Sequence, residues 1–404
     1  MLDKLLPATT PKLDALGTLI AGFLGQPYQD EMKGVAKALN TSLGIIAIAN
    51  LGYEVTAFCT SIVAQATDGS VYHARNLDFG EGMGFTDILR NMTFEVDFQS
   101  GGKTQYSCVT YASFVGCLTG VRPSGWAVTV NTRFPPDGEH KPLKQLWREL
   151  VEAITVKGSQ VNSQLIRDTL GNTATFSDAK ATLTSHPLIA QVYLTISGAA
   201  PGEGCVITRN MTGADDVWCL DVPNGRWYVL ETNYDHWKPV IPSHSRLAPA
   251  PTRAAQVPWY DDRRTAAQAA LNATGPDHAN PDTLLAVLST KPVLNLMTTY
   301  SIVAQPKTAD VFNHYVRYCA CDAAAASARA LVVLRACSQC FRNQATTRAP
   351  IKQRVPSSPP LLLCVLRHAL RFQSSEIVAL CKWQQPVGNV CAGCRWRCCR
   401  RPTI

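Results

Sequence analysis

Two short β-branched runs, Ser61–Gln65 and Ser70–Ala74, flank the dipeptide Asp68-Gly69. Asp-Gly between such runs is a strong short-range signal for a β-hairpin, because glycine reaches the positive φ angles of tight turns at little cost. The chain is therefore expected to reverse at this dipeptide and to place two antiparallel strands side by side. This hairpin fixes the first β-sheet around which the rest of the fold must be arranged.

The register of the hairpin decides which side chains meet. A two-residue loop at Asp68-Gly69 sets Asp78 directly opposite Cys59, with both side chains on the same face of the sheet. Arg75 then points to the other face, unless a bulge or the end of regular pairing near Asn76-Leu77 shifts it. A thiol beside a carboxylate is a candidate catalytic site. From spacing alone, Cys59 could equally be a small buried hydrophobe and Asp78 a cap.

Hydrophobic periodicity predicts helices before and after this hairpin, with further strands in the second half of the chain. The predicted helices are residues 11–50, Pro142–Val156, Asn162–Leu170 and Ser177–Leu183, the last starting at Ser177 with Asp178. The predicted strands are Cys205–Thr208, Val217–Asp221 and Arg226–Glu231, with Pro223-Asn224-Gly225 as the turn that joins the last two. Residues 239–260 are rich in Pro and Ala and are predicted to be a surface insertion. This order indicates an α/β layered domain built on antiparallel sheets.

Charge divides the chain into a body and a tail. The 404 residues hold 38 Lys+Arg and 30 Asp+Glu, a net charge of +8. From residue 323 onward there are 13 basic residues and one acid, Glu376, so residues 1–322 carry 25 basic and 29 acidic side chains, a net charge of −4. The body therefore gives no electrostatic reason to expect a nucleic-acid partner.

The tail from residue 323 alternates Arg, Cys and Pro without a helical or strand period, which predicts irregular structure. Eight of the 15 cysteines lie there. Cys337-x-x-Cys340 and Cys391-x-x-Cys394 have zinc-ligand spacing, but no ordered ligands stand between them, so we predict no metal site and no cofactor. A basic tail of this kind could also hold anionic lipid or RNA by charge alone.

No apolar run reaches the ~18 residues that a membrane span needs, which excludes a multi-span membrane protein. The opening residues Met1-Leu2-Asp3-Lys4 lack the basic-then-apolar pattern of a signal peptide.

The residues of the predicted hairpin resemble those of a known protein family, and this resemblance gives information that the spacing alone does not. The run Cys59-Thr-Ser-Ile-Val-Ala, followed by His73-Ala-Arg75-Asn76-Leu-Asp78-Phe-Gly, resembles the acid ceramidase and N-acylethanolamine-hydrolysing acid amidase family. Four further segments resemble the same family in the same order: Gly202-Glu-Gly-Cys-Val-Ile-Thr-Arg209, Glu231-Thr-Asn233-Tyr-Asp-His-Trp-Lys-Pro239, Asp261-Asp-Arg263-Arg-Thr265 and Leu288-Ser-Thr-Lys-Pro-Val-Leu-Asn295. Six matches in order make the resemblance specific.

The resemblance implies an α+β fold, the four-layer αββα sandwich of N-terminal-nucleophile hydrolases. Residues 1–58 would form a helical N-terminal segment like a truncated small subunit. Residues 59–322 would form the catalytic domain, and residues 323–404 the basic, Cys-rich, irregular tail. The precursor would cut itself between Phe58 and Cys59 and give a two-subunit form.

The resemblance also implies a role for each residue of the site. Cys59 would be the nucleophile, and its newly freed α-amine, with a reference pKa of about 7.7–8.0, the base. Asp78 would orient that amine, Arg75 and Arg263 would position the site, and Asn233 would donate to the oxyanion. A cation such as Arg75 stabilises a thiolate. Without the resemblance, Arg263 could be a surface ion pair and Asn233 a turn residue.

The implied reaction is hydrolysis of a fatty amide through a thioester. Motif details favour ceramide as substrate, with sphingosine and a fatty acid as products; the alternatives are an N-acylethanolamine and a non-catalytic secreted homologue. The lipid would be met at a membrane or micelle surface, with a lipid-presenting activator protein as a further partner. Four sequons fit the lysosomal or secreted location that the resemblance implies: Asn40, Asn91, Asn210 and Asn272.

Overall fold

The computed structural model describes residues 11–52, 57–79, 85–134, 158–237, 262–308, 312–317 and 378–382. The helices are α1 Pro11–Phe23, α2 Tyr28–Leu39, α3 Leu43–Leu51, α4 Phe85–Met92, α5 Asn162–Asn172, α6 Phe176–Ser185, α7 Asp262–Thr274 and α8 Pro281–Ser289. The strands are β1 Phe58–Gln65, β2 Val71–Asp78, β3 Thr93–Ser100, β4 Lys103–Tyr111, β5 Thr119–Val121, β6 Trp126–Thr132, β7 Val192–Gly198, β8 Gly204–Arg209, β9 Ala214–Cys219, β10 Tyr228–Glu231, β11 Thr298–Ala304, β12 Phe312–Val316 and β13 Val378–Lys382.

The helical prediction for residues 11–50 is confirmed by α1, α2 and α3. Asn40 ends α2 in the left-handed conformation, and the Ser42 side chain caps α3 by accepting from the Ile45 amide. The three helices form their own apolar cluster against residues that precede β5 and β7. Arg167 of α5 holds Glu31 of α2 through a bidentate ion pair of 2.5 and 2.7 Å. The N-terminal helices are thus fastened to the body by both apolar packing and charge.

The hairpin of β1 and β2 forms as predicted, but its loop is one residue longer. Gln65 pairs with Val71, and the Ala66 amide bonds the Ser70 carbonyl at 2.9 Å, which leaves residues 67–69 as the loop. Gly69 has φ +83°, the left-handed position of a three-residue hairpin. Because side chains alternate along a strand, this single residue exchanges the faces of every side chain on one strand relative to the other.

The expected pairing of Cys59 with Asp78 was therefore wrong. Cys59 pairs with Leu77, and Asp78 pairs with Phe58. Ser61 pairs with Arg75, so Arg75 shares the face of Cys59 without a bulge. The bulge predicted near Asn76-Leu77 is absent from this ladder, which is regular from Phe58 to Gln65; an irregularity occurs instead on the other side of β2, between Thr298 and Tyr300.

The strands form two antiparallel sheets. The order is β10-β1-β2-β11-β12 in the five-stranded sheet and β13-β3-β4-β5-β6-β7-β8-β9 in the eight-stranded sheet. The predicted strands around residues 205, 217 and 228 are confirmed as β8, β9 and β10. The turn at residues 223–225 closes one antiparallel bridge, between Asp221 and Arg226, but no ladder follows it: β9 is the edge of one sheet and β10 the edge of the other. This turn carries the chain from sheet to sheet.

The two sheets face each other, and helices cover their outer faces. Residues from both sheets share a core with α5 and α6, which pack on the eight-stranded sheet. A second cluster lies between the five-stranded sheet and helices α7 and α8. The molecule is thus an α+β protein in which β1 and β2 are buried on both faces.

The remaining predictions have mixed outcomes. Helices α5 and α6 confirm two predicted helices, although Thr175 caps α6 by accepting from the Asp178 amide, and Ser177 lies inside the helix. The helix predicted at Pro142–Val156 and the insertion at residues 239–260 lie outside the described residues. In the tail, β13 is regular structure where none was predicted. Within the described ranges no single helix is long and apolar enough to cross a membrane, although the bent pair α2 and α3 passes by length and composition.

Candidate active site

The start of β1 places Cys59 between the two sheets. Its side chain faces the eight-stranded sheet and is fully buried. Composition could not distinguish it from four other cysteines in residues 1–300. The structure does so, because those four form the disulfides Cys108–Cys117 and Cys205–Cys219. Cys59 stands outside both bridges.

Arg75 brings a positive charge to the Cys59 sulfur. Its Nη2 donates to Cys59 Sγ at 3.0 Å and to the Val130 carbonyl at 2.8 Å, and the guanidinium is fully buried. The thiol also donates to the Val130 carbonyl at 3.7 Å. A buried cation in contact with sulfur stabilises the thiolate, which is the nucleophilic form of cysteine.

A second set of contacts fixes the orientation of that guanidinium. Nη1 of Arg75 donates to the Leu118 carbonyl at 2.7 Å and to the Thr119 hydroxyl, which is itself 2.8 Å from the Tyr300 hydroxyl. Burial raises the pKa of Tyr300, so this phenol remains protonated and acts as a hydrogen-bonding group. Arg75 is therefore held in one position relative to Cys59.

Asn233 and Arg263 bind the backbone of Cys59. The Cys59 amide donates to Asn233 Oδ1 at 3.0 Å, and Arg263 Nη1 donates to the Cys59 carbonyl at 2.8 Å. Arg263 Nη2 also donates to Asn233 Oδ1 at 2.7 Å, which fixes the direction of the carboxamide. Its Nδ2 then points to the Thr132 and Ala57 carbonyls at 2.8 and 3.4 Å. Arg263 is buried, so it is not a surface ion pair.

Asp78 lies on the opposite face of the sheet from the Cys59 side chain and reaches the site through Arg263. Its Oδ2 accepts from Arg263 Nη1 at 3.2 Å and from Asn295 Nδ2 at 3.1 Å, and its Oδ1 accepts from the Thr298 hydroxyl at 2.6 Å. Burial raises the pKa of Asp78, and the Arg263 charge and these hydrogen bonds act against that rise.

The structure thus brings together all five residues predicted for the site, with Arg75 and Asp78 on exchanged faces. Sequence reasoning missed the residues that hold them in place: Thr119, Asn295, Thr298 and Tyr300. Asn295 lay in a segment that had been singled out, and Thr119 lay in another, Leu118-Thr-Gly-Val-Arg-Pro, but neither segment gave its residue a role. The others are ordinary strand residues whose importance depends on the packing of one sheet on the other.

The site thus contains a buried thiol, that of Cys59, with the Arg75 guanidinium at its sulfur. The Asn233 carboxamide and the Arg263 guanidinium bind the Cys59 backbone, and the Asp78 carboxylate binds Arg263. These are the elements of acyl transfer to a cysteine: a nucleophile, a group that stabilises its charge and a donor for an oxyanion. Among the residues that the structure describes, no group of three His, Cys, Asp or Glu side chains could hold a metal ion.

Comparisons with known proteins define the class. Residues 59–250 match the family model of "Linear amide C-N hydrolases, choloylglycine hydrolase family". The chain is 40% identical over 307 residues to an N-acylethanolamine-hydrolyzing acid amidase of Cavia porcellus, covering 75% of this chain and 78% of that protein. It is 36% identical over 315 residues to the acid ceramidase of Homo sapiens, covering 76% and 73%.

A solved structure gives the same result. The Caenorhabditis elegans ortholog of N-acylethanolamine-hydrolyzing acid amidase is 32% identical and superposes with a TM-score of 0.53, covering 64% of this chain and 100% of that one. The protein is a hydrolase of linear amide C–N bonds. The chain belongs to the choloylglycine hydrolase family, among the N-acylethanolamine-hydrolyzing acid amidases and acid ceramidases.

Proposed function

We propose that this chain cuts its own backbone between Phe58 and Cys59 and then hydrolyses the amide bond of a long-chain N-acyl lipid through a Cys59 thioester. One observation carries the proposal: three atoms of Cys59 are each held by a different side chain. Arg75 contacts the sulfur, Asn233 the amide nitrogen and Arg263 the carbonyl oxygen. A cysteine that only fills the core needs none of these contacts.

The fold also supports the proposal that Cys59 is an N-terminal nucleophile. Two facing antiparallel sheets with helices outside both correspond to the four-layer αββα sandwich of N-terminal-nucleophile hydrolases. The family match begins at residue 59. In this proposal residues 1–58 become the small subunit and residues 59–322 the catalytic subunit, and residues 323–404 form a tail that contributes β13 to the edge of the eight-stranded sheet.

Self-cleavage would use the same sulfur. The Cys59 thiolate attacks the Phe58 carbonyl carbon, the bond from that carbon to the Cys59 nitrogen breaks, and the nitrogen takes up a proton to become an α-amine. Water then hydrolyses the thioester, so that Phe58 leaves with a carboxylate and Cys59 regains its thiol. Arg75 stabilises the thiolate before attack and again after release.

The lipid reaction would repeat this sequence with the new amine as base. The amine accepts the thiol proton, the thiolate attacks the acyl carbon, and the amine returns the proton to the leaving nitrogen. Asn233 Nδ2 contacts the Ala57 carbonyl in the uncut chain. Because Ala57 belongs to the segment that is cut off, its departure would leave this donor for the oxyanion.

Asp78 would act next to the new terminus. It lies opposite Phe58 in the ladder, one residue from Cys59, and it shares Arg263 with the Cys59 carbonyl. This placement supports a role in orienting both Arg263 and the amine.

The substrate would be an N-acylethanolamine, with ceramide as the second candidate. Sequence motifs favoured ceramide, but identity is 40% to an N-acylethanolamine-hydrolyzing acid amidase and 36% to an acid ceramidase. Both lipids share a long acyl chain. Its burial at about 0.8 kcal/mol per CH₂ supplies ample binding energy. Such a lipid is presented by a membrane or micelle, where an activator protein could assist.

The compartment would be lysosomal or secretory. Two disulfides within the fold are typical of proteins that mature in an oxidising compartment. The sequon residues Asn40, Asn91 and Asn272 are exposed. Asn210 is half-buried, and its carboxamide bonds Asp215 and the Gly213 amide. Glycopeptide mapping of secreted protein would test all four positions.

The deciding experiment is acid incubation followed by N-terminal sequencing. Wild type should give a new N-terminus that begins Cys59-Thr60-Ser61, and Cys59→Ala should stay one chain and hydrolyse nothing. Ethanolamide and ceramide with the same labelled 16-carbon acyl group are assayed in parallel. A folded wild type that stays uncut and hydrolyses neither lipid would indicate a non-catalytic homologue. An uncut chain that hydrolyses either lipid at full rate would exclude the α-amine as base.

A further inference from the structure

Asn233 lies in a turn whose backbone is hydrogen-bonded at every carbonyl. The first three carbonyls are held by Asn131, near the end of β6, and by Phe134, the second residue after β6. Asn131 Nδ2 donates to the Glu231 and Thr232 carbonyls at 3.1 and 2.8 Å, and the Phe134 amide donates to the Asn233 carbonyl at 3.1 Å. The second half of the turn depends on another element.

Arg264 supplies both remaining hydrogen bonds. Its Nη2 donates to the Tyr234 carbonyl, and its Nη1 donates to the Asp235 carbonyl at 3.3 Å. One planar guanidinium thus spans two successive peptide carbonyls that follow Asn233. Because the guanidinium is planar and rigid, its bonds to two successive carbonyls fix the direction in which the chain leaves Asn233.

The same guanidinium is tied to the start of the turn. Arg264 Nη2 is 2.7 Å from Glu231 Oε1 and 3.1 Å from the Thr232 hydroxyl, and Glu231 Oε1 also accepts from the Thr232 amide at 2.9 Å. Glu231 is fully buried and Arg264 is 8% exposed. Arg264 therefore joins the two residues that precede Asn233 to the two residues that follow it.

Arg264 and Arg263 are consecutive residues in the first turn of α7 and hold Asn233 in two different ways. Arg263 donates to the Asn233 carboxamide oxygen at 2.7 Å, whereas Arg264 holds the residues that precede and follow Asn233. One helix end thereby fixes both the side chain and the main chain of Asn233, across a separation of 30 residues.

We propose that Arg264, through its ion pair with Glu231, is a positioning residue that sets the Asn233 carboxamide for stabilising the oxyanion. The inference rests on the proposed function, since it gives Arg264 a purpose only if Asn233 serves Cys59 chemistry. Arg264 touches neither Cys59 nor the acyl group in this scheme. Its loss should weaken binding of the transition state and leave ground-state binding of the lipid almost unchanged.

The test compares two 16-carbon ligands on self-processed enzyme. The fatty aldehyde adds reversibly to the Cys59 thiol and places an oxygen where the oxyanion forms, whereas the fatty alcohol of the same length fills only the acyl site. Arg264→Gln should raise Ki for the aldehyde and lower kcat by about 10–100-fold, with Ki for the alcohol and KM within about twofold. Arg264→Lys should give an intermediate loss, because an ammonium keeps the charge but cannot span two carbonyls.

The matched control is Arg167→Gln. Arg167 also pairs with a carboxylate, the half-buried Glu31, and donates to a carbonyl, that of Val115, but it lies on the side of the N-terminal helices. The Arg167→Gln substitution should lower the melting temperature without changing the ratio of aldehyde affinity to alcohol affinity. If Arg264→Gln is insoluble, Glu231→Gln/Arg264→Gln removes both charges together and carries the same test.

The outcomes separate the two proposals. If wild type is cut before Cys59 and inhibited by the aldehyde, and Arg264→Gln lowers stability but leaves the affinity ratio at the wild-type value, Arg264 is structural and the positioning inference is overturned. If wild type is neither cut nor inhibited by the aldehyde, the proposed function fails and the inference fails with it. A selective loss of aldehyde affinity in Arg264→Gln supports both.

Discussion

Ser61 lies directly opposite Arg75 in the ladder between β1 and β2, so the Arg75 guanidinium shares a sheet face with the Cys59 thiol, two residues before Ser61. The regular pleat of an antiparallel pair therefore permits the 3.0 Å contact between Arg75 Nη2 and Cys59 Sγ without a bulge. Charge and nucleophile belong to one hairpin, and the rest of the fold serves to bury and orient them.

Replacing Arg75 should therefore slow reactions of the thiolate itself. Arg75→Gln removes a buried, charge-assisted hydrogen bond worth about 1.5–3 kcal/mol, so alkylation of Cys59 by iodoacetamide should slow by about 10–100-fold at fixed pH. Arg122→Gln is the control, since Arg122 donates to the Leu170 carbonyl at 2.7 Å away from the thiol. Site-resolved mass spectrometry measures the rate. Equal rates in both variants would show that Arg75 does not stabilise the thiolate.

The loop that sets this register depends on Gly69. Gly69 has φ +83°, and an added Cβ would lie 3.1 Å from Pro201 Cγ. Gly69→Ala should lower the free energy of unfolding by about 1–2 kcal/mol, because an L side chain in this conformation is strained. Gly213→Ala, where an added Cβ meets nothing within 4 Å, should change it by less than about 0.5 kcal/mol. Urea unfolding monitored by fluorescence compares them; a neutral Gly69→Ala would mean that the turn tolerates another conformation.

The same loop shows how far the sequence reaches. Asp68-Gly69 predicts correctly where the chain reverses. Hairpin loops of two and of three residues share this signal, however, and differ only in how far the strand pairing continues into the turn. One residue of difference exchanged the faces of Arg75 and Asp78. Local turn chemistry cannot settle this, because the choice is made by which faces of the two strands must pack on the opposite sheet.

Other misses have the same origin. The turn at residues 223–225 reverses the chain in the predicted place, but tertiary packing sends β10 to the other sheet. The five site residues could be named from motifs. Arg264 follows Arg263 in one of those segments, but the sequence did not show its role, because that role depends on backbone carbonyls and on an ion pair that form only in the folded chain. The disulfide pairing could not be predicted from the sequence either, because it depends on which segments lie next to β4, β8 and β9 in the fold.

A buried neutral histidine makes the fold sensitive to acid. His73 lies between the Ser197 and Thr129 hydroxyls at 3.0 and 2.9 Å, and burial, with a smaller effect of the Arg75 charge, lowers its pKa from 6.5 to about 3. Below pH 6.5 the unfolded chain binds a proton at this residue and the folded chain does not, so stability is lost as the pH falls from 6.5 toward 3. By pH 4.5 the loss should reach roughly 2–3 kcal/mol at 1.36 kcal/mol per pH unit.

His73→Gln should remove this loss. The comparison is made in Cys59→Ala protein, so that self-cleavage does not change the chain at acid pH. Unfolding free energies from urea titrations at pH 7 and 4.5 should differ less in His73→Gln than in the parent, by about 2–3 kcal/mol. His278→Gln, an exposed position, should behave like the parent. If the parent and His73→Gln lose the same stability on acidification, His73 is not the group responsible.

Replacing Asn233 should lower the rate of catalysis by a large factor, and a control variant can separate this effect from a loss of folding stability. Its carboxamide contacts the Cys59 amide, Arg263 and the Thr132 carbonyl, and its Nδ2 is the donor proposed for the oxyanion. Asn233→Ala should reduce lipid hydrolysis by about 10²–10³-fold, the usual effect of losing one such donor. Self-cleavage, during which Nδ2 still contacts the Ala57 carbonyl, should fall less. Asn280→Ala removes the carboxamide that caps α8, and it should lower stability by about 1 kcal/mol without slowing either reaction. Single-turnover cleavage and steady-state hydrolysis of both variants give the comparison. An Asn233→Ala enzyme that retains more than half of the wild-type kcat would show that the oxyanion is stabilised by other groups.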